Sequence, residues 1–321
     1  MNSEIEKAVA ILHAGGLVAF PTETVYGLGA DAGNPEAIRK LYAAKRRPAD
    51  HPLIVHLAGA MQLPRWARDI TAAARELARK FWPGPLTLIL RRAPGVSDLV
   101  TGGQDTIGLR VPSHPLAHAL LEKFGGGIAA PSANRFGRVS ATTAQHVRQE
   151  FGDTVDLVLD GGQSEVGIES TIVDMTGERP VLLRPGHISA RAIEQVLGVT
   201  LAAPRADSPR APGVLAVHYA PYTPLRVTDG NALFEQALSL IKQGKRVAVL
   251  ALSASRSRHT GLEWIAAPRD AAAYAHDFYA NLRLLDAAEC AVILVEQPPR
   301  DAAWEAVNDR LDRAAALSRL P

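Results

Sequence analysis

Four groups of residues have the types and spacing to do chemistry. Lys45-Arg46-Arg47-Pro48 sets three cations side by side, followed by His51-Pro52 and by His56 on a short apolar run. Adjacent like charges repel unless water or a bound anion gathers them. Pro21-Thr22-Glu23-Thr24-Val25-Tyr26-Gly27 places hydroxyls just past a buried run, and Ala130-Pro131-Ser132-Ala133-Asn134, with Ser140 soon after, does the same behind another. The fourth group pairs Glu169-Ser170-Thr171 with Leu183-Arg184-Pro185-Gly186. Arg110, inside Gly108-Leu109-Arg110-Val111-Pro112, is a cation among apolar neighbours and so needs an anionic partner. Taken singly, each group has a plainer account: a solvated face for the charge run, turn chemistry for the hydroxyls. Together, Lys45, Arg47, Arg110 and Arg184 with hydroxyls at strand ends suggest a pocket for two anions, one polyphosphate and one carboxylate. Arginine suits both through bidentate hydrogen bonds.

Other chemistries are excluded. The chain has no G-x-x-x-x-G-K-[ST] phosphate loop, no G-x-S-x-G nucleophile elbow and no H-E-x-x-H spacing among its 10 histidines. Gly27-Leu28-Gly29-Ala30-Asp31-Ala32 fits a dinucleotide pattern, but the helix signal comes only at Asn34-Pro35, so a tight turn is expected there. The single cysteine, Cys290, beside an apolar run, rules out a disulfide framework and reads as a buried, inert thiol. No acidic cluster could cage a metal, so Mg²⁺ is expected to arrive on a nucleotide, held by phosphates and water.

These groups must be positioned by regular elements. Through residue 200, helices fit Ile5–Ala14, Asn34–Tyr42, Ala72–Lys80, Leu116–Phe124, Thr143–Glu150 and Ala190–Leu197. Strands fit Leu17–Phe20, Leu53–Leu57, Leu86–Leu90, Thr106–Val111, Gly127–Ala130, Val155–Leu159 and Thr171–Asp174. This alternation implies an α/β or α+β domain over residues 1–200. Residues 201–224 hold Pro204, Pro209, Pro212, Pro221 and Pro224 and read as an extended linker. Strands at Leu225–Val227, Val247–Leu252 and Ala291–Val295 alternate with helices at Ala232–Lys242, Ala271–Leu285 and Ala302–Ala316, so residues 225–321 imply a small parallel sheet.

The whole chain fits this division, since 321 residues suggest two domains. Cutting at residue 200 leaves 21 basic against 20 acidic residues before it and 14 against 13 after it, +1 each, so neither part has the excess of a dedicated nucleic-acid binder. Met1 to Lys7 carries Glu4 and Glu6 where a signal peptide would be basic, and no run is long enough to span a membrane. A cytoplasmic enzyme is the default expectation.

The motifs PTETVYGLG (21–29), KRRP (45–48), HPLIVHL (51–57), FWPGPLTLIL (81–90), TIGLRVP (106–112), PSAN (131–134), SATTA (140–144), GIESTIVD (167–174), LLRPG (182–186) and HYAP (218–221) resemble the threonylcarbamoyl-AMP synthases built on a YrdC-type domain. HYAP marks the long form, with an additional C-terminal domain. The resemblance implies a twisted-sheet α/β domain followed by a small Rossmann-like parallel domain. It also implies a nucleotidyltransferase that converts L-threonine, bicarbonate and ATP to threonylcarbamoyl-AMP and pyrophosphate. The product feeds the N6-threonylcarbamoyladenosine modification of tRNA through a separate transferase complex, with at most weak tRNA contact by this chain.

By motif match, Arg47, His51, Thr106, Ser132, Ser140 and Arg184 would hold ATP, with Lys45 on the phosphates and Tyr219 reaching the nucleotide from a linker lid. Thr24, His56, Arg110, Ala130 and Ser170 would line the threonine site. Lys45, Arg47 and Arg184 are the cations expected to assist the chemistry, and no covalent nucleophile is implied. The chain departs from the family at Arg46, where glycine is common, and before His218, where Pro212-Gly213-Val214-Leu215-Ala216-Val217 lacks the usual methionine and basic residue. Two rival readings are an RNA-binding module of the same fold without nucleotide turnover and a carbamoyl-adenylate maker of the hydrogenase-maturation kind. Near-neutral charge counts against the first, and the second needs domains this chain lacks.

Overall fold

The computed structural model describes residues 2–215, 217–253 and 259–316. Met1, Ala216, 254–258 and 317–321, on which the readings of the N-terminus, linker and last domain touch, lie outside the described residues. The chain folds as two compact units, one of residues 1–136 and 141–214 and the other of residues 137–140 and 215–321.

In the first unit the strands are β1 (Val18–Phe20), β2 (Gly27–Asp31), β3 (Ile54–His56), β4 (Ala67–Arg68), β5 (Leu86–Arg92), β6 (Thr106–Arg110), β7 (Ile128–Ala129), β8 (Leu157–Val158), β9 (Thr171–Asp174) and β10 (Val181–Arg184). They form one mixed sheet in the order β10-β9-β5-β6-β3-β7-β2-β1-β8, with β4 paired to β5. Around it lie α1 (Asn2–His13), α2 (Pro35–Lys45), α3 (Leu63–Trp66), α4 (Ala72–Phe81), α5 (Asp98–Thr101), α6 (Pro115–Phe124), α7 (Ala144–Phe151) and α8 (Ala190–Leu197).

Alternation along the strands sorts the side chains by face. Val55, Leu86, Leu88, Leu90, Leu109 and Val173 join the main core with Leu41, Leu77 and Ile193 from α2, α4 and α8. On the opposite face, Ile54, Ile89 and Ile172 form a smaller cluster with Leu183 and Ala211. The same face, at β1 and β7, packs Val18, Phe20 and Ile128 against α1 and α6.

Two expectations are corrected. Gly27 to Ala32 is not a tight turn: Gly27–Asp31 is β2, antiparallel to β1 and β7. A Cβ on Gly29 would lie 2.8 Å from the Phe20 ring and 2.9 Å from Ile128 Cγ2, so glycine serves close strand approach there. The helix from Asn34 does not stop at Tyr42 either: α2 runs on to Lys45, and Arg46 caps it with a left-handed backbone, φ 51°.

The second unit contains β11 (Leu225–Thr228), α9 (Gly230–Lys242), β12 (Val247–Ala251), β13 (Leu262–Ala266), α10 (Ala271–Asp286), β14 (Val292–Glu296) and α11 (Glu305–Ala316). Its sheet is parallel throughout, in the order β11-β14-β12-β13. The expected small parallel sheet is present, with β13 added; Glu263 and Ala266 are exposed, so this edge strand carries only a weak apolar signal. Leu233 and Ala237 of α9 pack on Val247, Val249, Val292 and Leu294. Cys290 is buried, and burial is the main cause of its raised pKa, as suits an inert thiol. Among the described residues no helix is long and apolar enough to cross a membrane.

Candidate active site

Strand register builds the centre of the site. His56 pairs with Arg110, Arg110 lies opposite Thr87 by continuation of the Leu88–Leu109 register, Thr87 pairs with Ile172, and Ile172 pairs with Arg184 after a bulge. These five residues therefore form one row across five adjacent strands. Residues opposed in register project to the same side, here the face away from the main core. Neighbouring strands are about 4.8 Å apart, so the row spans roughly 19 Å, long enough for a nucleotide and a small acid side by side. Thr106 shares this face at the far end of β6, two alternations from Arg110.

Arg110, 4% exposed, sits among groups that fix its guanidinium. Its Nε donates to the Gly84 carbonyl at 3.2 Å and Nη1 donates to Thr24 Oγ1 at 2.8 Å. Nη2 forms an ion pair with Glu23 Oε1 at 2.6 Å, a charge contact and not an aligned hydrogen bond. The other carboxylate oxygen of Glu23 accepts the Ser113 amide at 3.1 Å. Thr24 shares a 2.8 Å hydrogen bond with Thr22, whose hydroxyl also donates to the Val25 carbonyl, so the 22–25 turn holds its own hydroxyls in place. His56 lies beside Arg110, its ring edge-on to Phe20. Burial first, and then the arginine charge, lower its pKa to about 3, so it works as a neutral imidazole.

Around the PSAN turn the cations are held by backbone oxygens. Lys45, 1% exposed, donates its Nζ to the carbonyls of Ser132, at 2.5 Å, and Asn134. Burial, followed by the neighbouring Arg47, pushes its pKa well down. The turn is tied to β2, since the Leu28 amide donates to the Pro131 carbonyl and the Ala133 amide to the Tyr26 carbonyl. Ala130 is buried, its amide donating to the Ile54 carbonyl. Arg47 donates from Nη2 to the Pro52 carbonyl, and its guanidinium lies 5.4 Å from the centre of the Phe136 ring. His51 packs edge-on against that ring at 5.1 Å, and burial and then Arg47 lower its pKa. Tyr42 reaches the carbonyls of both His51 and Leu99, anchoring the 48–52 loop, and burial raises its hydroxyl to about 12.

At the other end of the row, Arg184 is clamped on Ser170. Its Nε and Nη2 donate to the Ser170 carbonyl at 3.1 and 2.9 Å, and Nη2 also reaches Ser170 Oγ at 3.2 Å. Ser170 Oγ in turn shares a 2.8 Å hydrogen bond with Thr87. Nη1 donates to the Pro212 carbonyl at 2.9 Å. The turn after Arg184 requires glycine, because a Cβ on Gly186 would lie 2.4 Å from the Thr171 amide nitrogen.

The first unit thus brings Thr24, His51, His56, Thr106, Arg110, Ala130, Ser132, Ser170 and Arg184 onto strand ends and turns, with Lys45 at the end of α2 and Arg47 just beyond its cap. Ser140 and Tyr219 belong to the second unit. There the Ser140 carbonyl accepts Arg283 Nε at 3.2 Å. Tyr219, 1% exposed, packs with His218 and Tyr279 and lies under the Arg310 guanidinium. Sequence reasoning leaves out Glu23, Thr87 and Phe136. Glu23 stands inside one of the chemistry-bearing motifs, but nothing in the spacing links it to a cation 87 residues away. Thr87, in a run of apolar residues, is visible only as an interruption. Phe136 has no signal at all.

Residues 10–186 match the Sua5–YciO–YrdC family, described as "Telomere recombination", and residues 188–316 match a family described as "Threonylcarbamoyl-AMP synthase, C-terminal domain". A Bacillus subtilis protein named threonylcarbamoyl-AMP synthase is 39% identical over 334 residues, covering 98% of this chain and 93% of its own. A Pyrococcus abyssi protein of the same name is 42% identical over 258 residues, covering 77% of this chain and 76% of its own. A crystal structure of P. abyssi Sua5 complexed with L-threonine matches with a TM-score of 0.91 at 37% identity, covering 99% of this chain and 96% of that one.

Proposed function

This chain belongs to the Sua5–YciO–YrdC family, and from that premise we propose that it is an L-threonylcarbamoyladenylate synthase. It converts L-threonine, bicarbonate and ATP to threonylcarbamoyl-AMP and pyrophosphate, and a separate transferase passes the threonylcarbamoyl group to tRNA. The observation that carries this reading is the row of His56, Arg110, Thr87 and Arg184 on one sheet face, beside the buried Lys45 and Arg47.

The threonine amine, as the free base, adds to CO₂ from bicarbonate to form a carbamate. A carbamate oxygen then attacks the α-phosphorus, and pyrophosphate leaves. Arg110 takes the threonine carboxylate, with Thr24, His56 and Ala130 lining that end and Ser170, bonded to Thr87, closing it on the side of Arg184. Arg184, Arg47, His51, Thr106 and Ser132 hold the nucleotide, and Lys45 steadies the turn that carries the phosphates. Fixed cations and oriented donors act where charge develops on the phosphates, so positioning and electrostatics supply the catalysis. Mg²⁺ comes with the nucleotide: the side chains here are cations, imidazoles and hydroxyls, a set suited to phosphate oxygens, which with water hold the ion. Carbamates decompose in water, so the step needs a site that excludes solvent.

The test is pyrophosphate release from ATP and Mg²⁺ with threonine and bicarbonate each left out in turn. Release that needs both supports the reading. Release independent of threonine, or salt-dependent RNA binding with no turnover, would refute it.

A further inference from the structure

We infer that Glu23 is a positioning residue for amino-acid recognition: its carboxylate holds the Arg110 guanidinium in the orientation that receives the substrate carboxylate. The inference rests on the reading of Arg110 as the carboxylate receptor and adds to it a residue that the motif match does not name.

Three observations carry it. Both charges are almost fully buried, with side-chain exposures of 5% for Arg110 and 4% for Glu23, and their contact distance is 2.6 Å. A buried guanidinium without a counter-charge is strongly unfavourable, so before any substrate arrives this cation depends on Glu23. Glu23 is itself fixed from two directions: Oε2 accepts the Ser113 amide, just past the end of β6, and the Glu23 backbone carbonyl accepts the Val166 amide at 2.7 Å. Finally, the contacts on Arg110 are distributed so as to leave donors for a ligand. Nε is committed to Gly84 and one Nη1 hydrogen to Thr24. Nη2 is buried against Glu23, while Nη1 keeps a second N–H beyond its bond to Thr24. A second carboxylate can therefore be met from the Nη1 side of the guanidinium.

The arrangement also bears on selectivity. Once a substrate carboxylate joins Glu23 on one guanidinium, two negative charges share one positive charge. The excess is relieved when the ligand carries its own ammonium, as an amino acid does. A plain carboxylic acid of the same shape lacks that compensation, so the Glu23–Arg110 pair favours initial capture of the zwitterion, whose ammonium must lose its proton before the amine adds to CO₂.

Glu23→Gln removes the charge and keeps the size, and Glu23→Asp keeps the charge and withdraws it by one methylene. In the full-length protein, both are expected to raise the threonine KM about tenfold or more, the loss expected for a charge-assisted contact, while the ATP KM stays within about twofold. In the Arg110→Lys background, Glu23→Gln is expected to add little further change to the threonine KM, because the group it positions is gone. A residue of purely structural importance would raise both KM values or only lower the folded fraction. An unchanged threonine KM, equal effects on both substrates, or full additivity with Arg110→Lys would overturn the inference. So would circular dichroism showing both Glu23 variants unfolded, which would assign the pair to stability alone. Wild-type protein without threonine-dependent pyrophosphate release would sink the functional reading itself, a distinct outcome from wild-type turnover with indifferent Glu23 variants.

Discussion

Arg184 and His56 show how burial converts ordinary side chains into instruments of the site. Arg184 has no freedom to search for a phosphate: Ser170 and Pro212 hold its guanidinium, so its charge is presented without an ordering cost. Arg184→Ala is expected to lower kcat/KM for ATP about 10–100-fold, or about 1.5–3 kcal/mol. A loss of less than about twofold in steady-state kinetics would remove Arg184 from the nucleotide site. His56 makes a different prediction, because its pKa falls from 6.5 to about 3 in the folded chain. Between those values the unfolded chain binds the proton and the folded chain does not. Stability is therefore retained above pH 6.5 and lost as pH falls from 6.5 toward 3. The slope is at most about 1.4 kcal/mol per pH unit from this one group. Urea unfolding from pH 7 to pH 4 should be less pH-dependent in His56→Asn, and equal dependence would dismiss the assignment.

At the scale of elements, α2 ends on a strained position. Asn34 caps the helix by accepting the amides of Glu36 and Ala37, and Pro35 begins it, so the start is strongly specified. The end is not: Arg46 must adopt φ 51°, ψ 41° to cap the helix and turn the chain toward Arg47. That conformation costs a side-chain-bearing residue about 1 kcal/mol and glycine almost nothing. Glycine in the middle of this motif is thus a conformational choice, and the exposed Arg46 side chain contributes little in return. Arg46→Gly is expected to raise stability by about 0.5–1 kcal/mol without changing turnover. A lower melting temperature would mean that the Arg46 side chain makes a stabilising interaction in solution.

For the whole molecule, the informative boundary lies inside the proline-rich segment. Residues 202–214 pack with the first unit: Pro212 accepts from Arg184, Arg210 donates to the Gly102 carbonyl, and Ala211 sits in the cluster with Ile54, Ile89 and Ile172. A truncation ending at Val214 should fold, because the first unit keeps its own core. One ending at Leu201 should be less stable, since it strips a hydrogen-bond acceptor from Arg184 and uncovers apolar side chains. Each such lost contact is worth about 1–3 kcal/mol, and a domain of this size loses about 2–4 °C in Tm per kcal/mol. Equal melting temperatures for the two truncations would refute the packing role.

Residue type is local, so the chain by itself could nominate side chains for the chemistry. Lys45, Arg47, Arg110 and Arg184 stood out as cations that burial or crowding would force onto an anion. Helix starts were legible for the same reason, since Asn34-Pro35 carries its signal within two residues. β2 was not legible: Gly27 and Gly29 signal a turn until Phe20 and Ile128 are known to press against them. Nor did any local pattern say which residue answers the charge of Arg110. Only the tertiary structure decided that, by laying the β1–β2 turn beside the end of β6 and making a carboxylate far away in the chain the partner of its guanidinium. Register across strands is a long-range property, and the row from Arg184 to His56 exists only because two consecutive strand pairs, β9–β10 and β5–β6, are joined to each other and to β3 in that order.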